Sequence, residues 1–283
     1  MPAIDFQGQV IVVTGAGRGL GAAYARLVAS RGAAVLVHDA GVAADGSGSD
    51  PSVADGVVAE IAKAGGTAAA CYENLEDAAA CDRIVSLALD RFGRLDALIH
   101  NAGLVMFASV EETEPPAWQR MVAIGINAPF HLSRAAIPHM RRQNYGRIVF
   151  TTSGRAMQVE HCVPGLVAYA AAKMAQVGLM VGLAAEFSGT NIRVNAVSPV
   201  AATRVLRRSA PDLRPELVAP GVAFLASSAC ATSGTVLNAA GGRFSAARWD
   251  RSGEVDLGPI PASPEDVADR WQQIIGHRED PPA

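Results

Sequence analysis

The chain of 283 residues contains twenty-two arginines and only two lysines. One of the two, Lys173, stands four residues after Tyr169 in the run Tyr169-Ala170-Ala171-Ala172-Lys173. A sequence that uses arginine almost wherever it wants a cation has kept an ammonium here, which suggests a task that guanidinium does badly. Residues four apart share one helix face, so the phenol and the ammonium can sit side by side. A nearby positive charge favours tyrosinate and lowers the Tyr pKa from its usual value near 10. Such a phenol exchanges a proton near neutral pH. The plainer reading is a surface lysine beside a packed tyrosine, and the rest of the chain has to decide between the two.

A second group of residues lies near the start. Thr14-Gly15-Ala16-Gly17-Arg18-Gly19-Leu20-Gly21 follows a short apolar run, Gln9 to Val13, and precedes a helical stretch, Ala22 to Arg31. Glycines between a first strand and a first helix permit a tight turn and close approach of backbone to a pyrophosphate, with the phosphates at the helix N-terminus. Gly15, Arg18, Gly19, Leu20 and Gly21 are therefore candidate dinucleotide contacts. Asp39 ends the second strand, eighteen residues past Gly21. A carboxylate there can accept both ribose hydroxyls of NAD and repel a 2′-phosphate, whereas Arg18 could meet that phosphate. Asp39 carries more weight, so NAD is expected over NADP. Asn101-Ala102-Gly103 follows the fourth strand, where backbone passes near the adenosine side of such a cofactor.

The elements that must hold these groups alternate along the chain. Strands are expected at Ala33 to Val37, Thr67 to Cys71, Leu95 to Ile99, Gly146 to Thr151, Ile192 to Val197 and Thr235 to Asn238. Helices are expected at Val53 to Ala64, Asp77 to Phe92, Pro115 to Met140, Val167 to Phe187 and Arg214 to Ser227. Strand–helix alternation throughout argues for an α/β doubly wound parallel sheet of Rossmann type, three-layered αβα. Composition shifts after Gly241, where Gly, Pro, Arg and Asp rise. Residues 1–241 are read as one dinucleotide-binding and catalytic domain, and 242–283 as a C-terminal extension with a short helix from Pro264 to Ile275.

Thr14 to Gly21, Asn101-Ala102-Gly103, Ser153, Tyr169-x-x-x-Lys173 and Asn195 to Pro199 occur in one order. Together they resemble the short-chain dehydrogenase/reductase family over roughly residues 8 to 240. Asp39-Ala40-Gly41, Tyr145-Gly146-Arg147-Ile148 and the tail from Gly241-Gly242 to Arg248-Trp249 resemble the (3R)-hydroxyacyl-CoA dehydrogenase portion of the multifunctional β-oxidation enzyme and its stand-alone bacterial relatives. The resemblance implies an NAD(H)-dependent oxidoreductase that interconverts a secondary alcohol and a ketone. Its substrate would be a 3-hydroxyacyl-CoA, or else a steroid or other lipophilic alcohol. Tyr169 would be the acid/base, and Lys173 would lower its pKa and hold the nicotinamide ribose. Ser153 would bind the substrate oxygen. Asn74, Leu75, Pro199, Val200 and Thr203 would add cofactor contacts. The long helices would pair copies into a homotetramer or homodimer. The alternative is a non-catalytic NAD-binding sensor or scaffold that keeps the fold.

Two departures from the family pattern stand out. The helix asparagine that usually follows the segment's Trp by seven residues is Gly125 here, counted from Trp118. A glycine inside a helix costs about 1 kcal/mol against alanine, so a local distortion is expected there. Ser153 and Tyr169 are sixteen residues apart rather than about thirteen, which should bulge the loop with Glu160, His161 and Cys162 beside the pocket; His161 is read as a solvated loop residue. Leu104, Val105, Met106, Val159, Val163 and Leu166 are expected to make the pocket apolar. Arg204, Arg207, Arg208 and Arg214 are candidates for CoA phosphates.

Bulk properties exclude other classes. A net charge of −3 gives no reason to expect nucleic acid. No uninterrupted apolar stretch reaches the roughly 20 residues of a membrane span, and the N-terminal residues do not read as a signal peptide. Four scattered cysteines and sparse histidines show no metal spacing, which suits a reducing, cytoplasmic setting.

Overall fold

The computed structural model describes residues 3–43, 48–202, 211–249 and 251–276. Its centre is an eight-stranded sheet in the order β3-β2-β1-β4-β5-β6-β7-β8. The strands are β1 Val10–Thr14, β2 Ala34–His38, β3 Thr67–Cys71, β4 Ala97–His100, β5 Gly146–Thr151, β6 Ile192–Val200, β7 Val236–Ala240 and β8 Arg243–Ala247. All neighbours are parallel except the β7–β8 pair. Every residue of β1, β4 and β5 is buried. That is why β1, and the centre of β4 and β5, read as apolar runs rather than alternating ones: both sheet faces are covered.

Helices α1 (Gly19–Ser30), α2 (Ser52–Lys63) and, late in the chain, α8 (Ala219–Ala226) pack on one face. Helices α3 (Ala78–Phe92), α5 (Ala128–Arg142) and α7 (Val167–Glu186) pack on the other. Between β1 and β4 the strand order reverses direction, and this leaves a crevice at the C-terminal ends of the strands, where such sheets bind ligands. By length and composition α7 would suffice to cross a membrane. Here its inner face lies in the core, with Lys173 and Gln176 both buried.

The expected helix Pro115 to Met140 is not continuous. It runs as α4 (Pro115–Val122), a π-helical turn at Ala123–Asn127, and α5. Gly125 is the centre of that turn. A Cβ on it would lie 2.6 Å from the Cβ of Ala172 on α7, so only glycine lets the two helices approach this closely. Its carbonyl accepts a 3.1 Å hydrogen bond from Gln176 Nε2.

The other differences fall at the C-terminal side. The last expected strand, Thr235 to Asn238, extends to Ala240 and continues into an unexpected antiparallel strand, β8. Gly241 and Gly242, at φ +54° and +77°, are the two-residue turn between them. Positive φ at both positions favours glycine and marks a tight hairpin. The chain accordingly divides into compact units at Met1–Ala247 and Arg248–Ala283, six residues later than the compositional shift. Within the second unit the expected helix Pro264 to Ile275 is two short ones, α9 (Pro264–Asp269) and α10 (Trp271–Ile275), and Ser263 caps the first of them.

Candidate active site

At the C-terminal edge of the sheet lies a cavity of about 780 Å³. Gly15, Arg18, Gly19, Leu20, Asp39, Asn74, Leu75, Asn101, Ala102 and Gly103 line one part of it. Ser153, Tyr169, Lys173, Pro199 and Val200 line another. The tertiary fold thus brings the expected cofactor and catalytic residues into one cavity, although they are spread over more than 180 residues. Gly21 does not line it, and Thr203 lies outside the described residues.

The glycine turn is shaped by backbone contacts. Gly15 has φ +62°, and a Cβ on it would meet Ala102 Cα at 2.9 Å. A Cβ on Gly21 would lie 2.1 Å from the Gly15 carbonyl oxygen, so Gly21 acts behind the wall by letting α1 close onto the turn. Arg18, the N-cap residue of α1, makes no side-chain cap. The first N–H groups of the helix are thus left for a ligand, as an anion-binding helix start requires. Asp39 braces the turn: its Oδ2 accepts from Gly17 N and its Oδ1 from Gly41 N, both at 2.9 Å. Arg18 donates to the Val42 carbonyl at 3.2 Å. These features fit a dinucleotide: a helix start free of side-chain caps, a turn in which added side chains would clash, and a carboxylate at the end of β2.

Thr14 ties the turn to the next strand. Its hydroxyl accepts from Asn101 N and Ala102 N, each at 3.1 Å, and lies 3.1 Å from His100 Nδ1. With both acceptor sites used, the hydroxyl proton goes to Nδ1, which leaves His100 with its proton on Nε2. Burial holds the His100 pKa down at about 3, so the ring is neutral. The Asn101 amide donates back to the Gly15 carbonyl at 3.0 Å.

Ser153 stands two residues past β5 and caps a one-turn helix, α6 (Gly154–Met157), its Oγ accepting from Arg155 N at 3.2 Å. Ser153 and Tyr169 line the same cavity, and the Ser153 hydroxyl pulls the Tyr169 pKa down. One turn further along α7, Lys173 Nζ donates to the Thr151 carbonyl at 2.8 Å and lies 6.0 Å from the Tyr169 ring centre. Thr152 Oγ1 donates to the Lys173 carbonyl at 2.7 Å and so clamps β5 to this helix turn.

Burial dominates the electrostatics of these two groups in the free protein. Burial raises the Tyr169 pKa above 10, against the opposing pull of the Ser153 hydroxyl and the Arg155 charge. Burial brings the Lys173 pKa down to about 8. The two groups are neighbours, as their spacing demands, but the free protein rests with a neutral phenol.

The pocket lining also differs from expectation. Leu104 and Val105 line the cavity. Val159 is 87% exposed, Val163 faces solvent in part, and Leu166 is buried in a small core with Met121 and Tyr169, against which Met106 packs. His161 is exposed yet reaches the cavity wall, at the end of a short 3₁₀ turn, whereas Glu160 and Cys162 do not line it. Arg204, Arg207 and Arg208 lie outside the described residues, and Arg214 is exposed away from the cavity. Arg155, Gln158, Arg243 and Phe244 line the cavity and were not singled out from sequence. For the last two the Gly241-Gly242 hairpin signal would have sufficed, since it brings β8 back to the same sheet edge.

The family model described as short chain dehydrogenase matches residues 9–212. The chain is 38% identical over 282 residues to peroxisomal multifunctional enzyme type 2 of Mus musculus, covering 96% of this chain and 37% of that one. It thus spans little more than a third of that relative's length. It is 34% identical over 191 residues to a 3-oxoacyl-[acyl-carrier-protein] reductase of Synechocystis, covering 68% of this chain and 73% of the other. The crystal structure of a short chain dehydrogenase from Mycobacterium avium superimposes with a TM-score of 0.84 at 33% identity, over 98% of both chains. With a Ser–Tyr–Lys cluster beside a glycine turn in one cavity, the chain belongs to the short-chain dehydrogenase family and is an oxidoreductase that takes a nicotinamide cofactor.

Proposed function

We propose that this enzyme interconverts a secondary alcohol and a ketone with NAD(H), and that its substrate is a 3-hydroxyacyl or 3-oxoacyl thioester such as the CoA ester. The observation that carries the reaction is that Ser153, Tyr169 and Lys173 line the same cavity as the glycine turn. The substrate class rests on the likeness to a protein named as a 3-oxoacyl reductase. The preference for NAD rests on Asp39, whose carboxylate faces the cavity while Arg18 is engaged with Val42. A ribose phosphate would meet that negative charge. A purely cofactor-binding role is not favoured, because such a role has no use for an assembled Ser153, Tyr169 and Lys173.

A bound nicotinamide supplies or takes up the hydride. Ser153 Oγ and the Tyr169 hydroxyl bind the substrate oxygen and orient its carbon. In ketone reduction the Tyr169 phenol, neutral at pH 7, gives its proton to that oxygen; in alcohol oxidation it takes the proton back. Lys173, with one proton committed to the Thr151 carbonyl, keeps donors for the cofactor ribose. Gly125 presents its carbonyl to Gln176.

The assembly we propose is a homotetramer or homodimer through the long helices, on which Phe130, Val167 and Val181 are about half exposed. A cytoplasmic site is proposed with it, in keeping with four free cysteines. The test of function is a panel of 3-oxoacyl thioesters, steroids and simple ketones with NADH and NADPH, followed by cofactor absorbance. The expected result is highest kcat/KM with a 3-oxoacyl thioester and NADH. Turnover of steroids or simple ketones alone would refute the substrate class, and a preference for NADPH would refute the role of Asp39.

A further inference from the structure

Arg155 stands two residues after Ser153, in the single turn of α6. Its N–H donates to Ser153 Oγ, its side chain lines the cavity beside Ser153 and Tyr169, and its charge is felt at the Tyr169 phenol. The residue is partly buried. Among the described residues nothing accepts a hydrogen bond from its guanidinium and no carboxylate pairs with it. Two other arginines of this cavity are engaged, Arg18 with the Val42 carbonyl and Arg120 with Glu76 at 2.7 Å. Its cavity neighbours Gln158 and His161 supply no counter-charge.

A partly desolvated guanidinium without a partner is unfavourable. It becomes favourable when a ligand brings an acceptor, and its planar fork of donors suits the oxygens of a carboxyl group or its derivatives. The reacting oxygen of the substrate belongs at Ser153 and Tyr169. The acceptor for Arg155 therefore lies a short way along the same molecule.

We propose that Arg155 is a second substrate anchor, whose guanidinium receives the C1 oxygen of an acyl group while the C3 oxygen sits on Ser153 and Tyr169. This rests on the functional reading above and sharpens it: the enzyme selects β-oxygenated acyl groups over isolated ketones because one oxygen is read by the hydroxyl pair and the other by a cation. The C1 oxygen belongs either to a thioester or to a free carboxylate, and both present an acceptor to the fork.

The test compares wild type, Arg155→Leu and Arg155→Lys on three substrates: a 3-oxoacyl thioester, the free 3-oxo acid, and a methyl ketone of similar length that lacks a C1 oxygen. The readout is the ratio of kcat/KM for each acyl substrate to that for the ketone. Any change in Tyr169 acidity on losing the Arg155 charge enters both terms and cancels. Binding of reduced cofactor, followed by fluorescence, checks that each variant is folded. Arg155→Leu is expected to lower the ratio about 10- to 100-fold, the scale of one charge-assisted hydrogen bond, and Arg155→Lys to lower it less. A fall for the thioester identifies that group as the source of the oxygen, and a fall for the acid alone identifies a carboxylate. A ratio within about twofold of wild type for both acyl substrates overturns the anchor while leaving the functional reading intact. A wild type that uses the plain ketone as well as either acyl substrate removes the functional reading and the anchor with it.

Discussion

Replacing Lys173 with methionine should make the cofactor-free protein more stable at pH 7 while abolishing its activity. Lys173 is 6% exposed, and burial brings its pKa down from 10.5 to about 8. At about 1.4 kcal/mol for each tenfold loss of proton affinity, keeping the ammonium buried at pH 7 costs about 3 kcal/mol. Methionine fills a similar volume without charge. The Thr151 carbonyl loses its Lys173 donor, a loss of about 1 kcal/mol. The net gain of about 2 kcal/mol corresponds to a rise in Tm of about 3–4 °C for a chain of this size. The pH dependence is the sharper check. Folded Lys173 holds its proton less tightly than the unfolded chain does, so the unfolded state carries more protons between pH 8 and 10.5. Wild-type stability therefore gains a rising contribution across that window, which the methionine variant lacks. Thermal unfolding of both proteins without cofactor, at pH 7 and pH 10.5, should show the advantage of the variant at pH 7 shrink or reverse at pH 10.5. A variant less stable at pH 7, or a gap equal at both pH values, would refute the reasoning.

Tyr169→Phe should lower turnover about 10²- to 10⁴-fold yet bind reduced cofactor normally, and survival of turnover would reject the acid/base assignment. Because Tyr169 rests protonated, kcat/KM for alcohol oxidation should still be climbing at about pH 9; an oxidation optimum below pH 7 would contradict the raised phenol pKa. Gly125→Asn places a Cβ against Ala172 and should destabilise by about 1–3 kcal/mol, as overpacking does. Adding Ala172→Gly should recover part of this, and an unchanged Tm in the single variant would show that the helices do not approach so closely. Gly21→Ala would drive a methyl toward the Gly15 carbonyl and should weaken NADH binding at least about tenfold in a fluorescence titration; unchanged affinity would mean the turn tolerates the methyl.

The strands were legible because burial on both faces favours apolar runs, as in β1. The glycine turn was legible because close backbone approach excludes every other residue at Gly15 and Gly21. Strand β8 was not, since four of its five residues are exposed and carry no apolar pattern; only the two glycines before it signal a hairpin. The break in the helix after Trp118 was half legible. A glycine warned of distortion, but the groups it meets there, Gln176 and Ala172, lie some fifty residues away.

The same division runs through the active site. The local order of residues was enough to place Tyr169 beside Lys173 and Ser153 ahead of them, because helix periodicity and strand ends are short-range matters. Which groups carry charge there was decided by depth. Burial leaves the phenol neutral and weakens the hold of Lys173 on its proton, and burial is a property of the packed sheet and α7 together. Arg155 gained its importance in the same way: nothing in its neighbours along the chain marks it, and only the folded cavity shows a guanidinium beside the reacting hydroxyls with no acceptor of its own among the described residues.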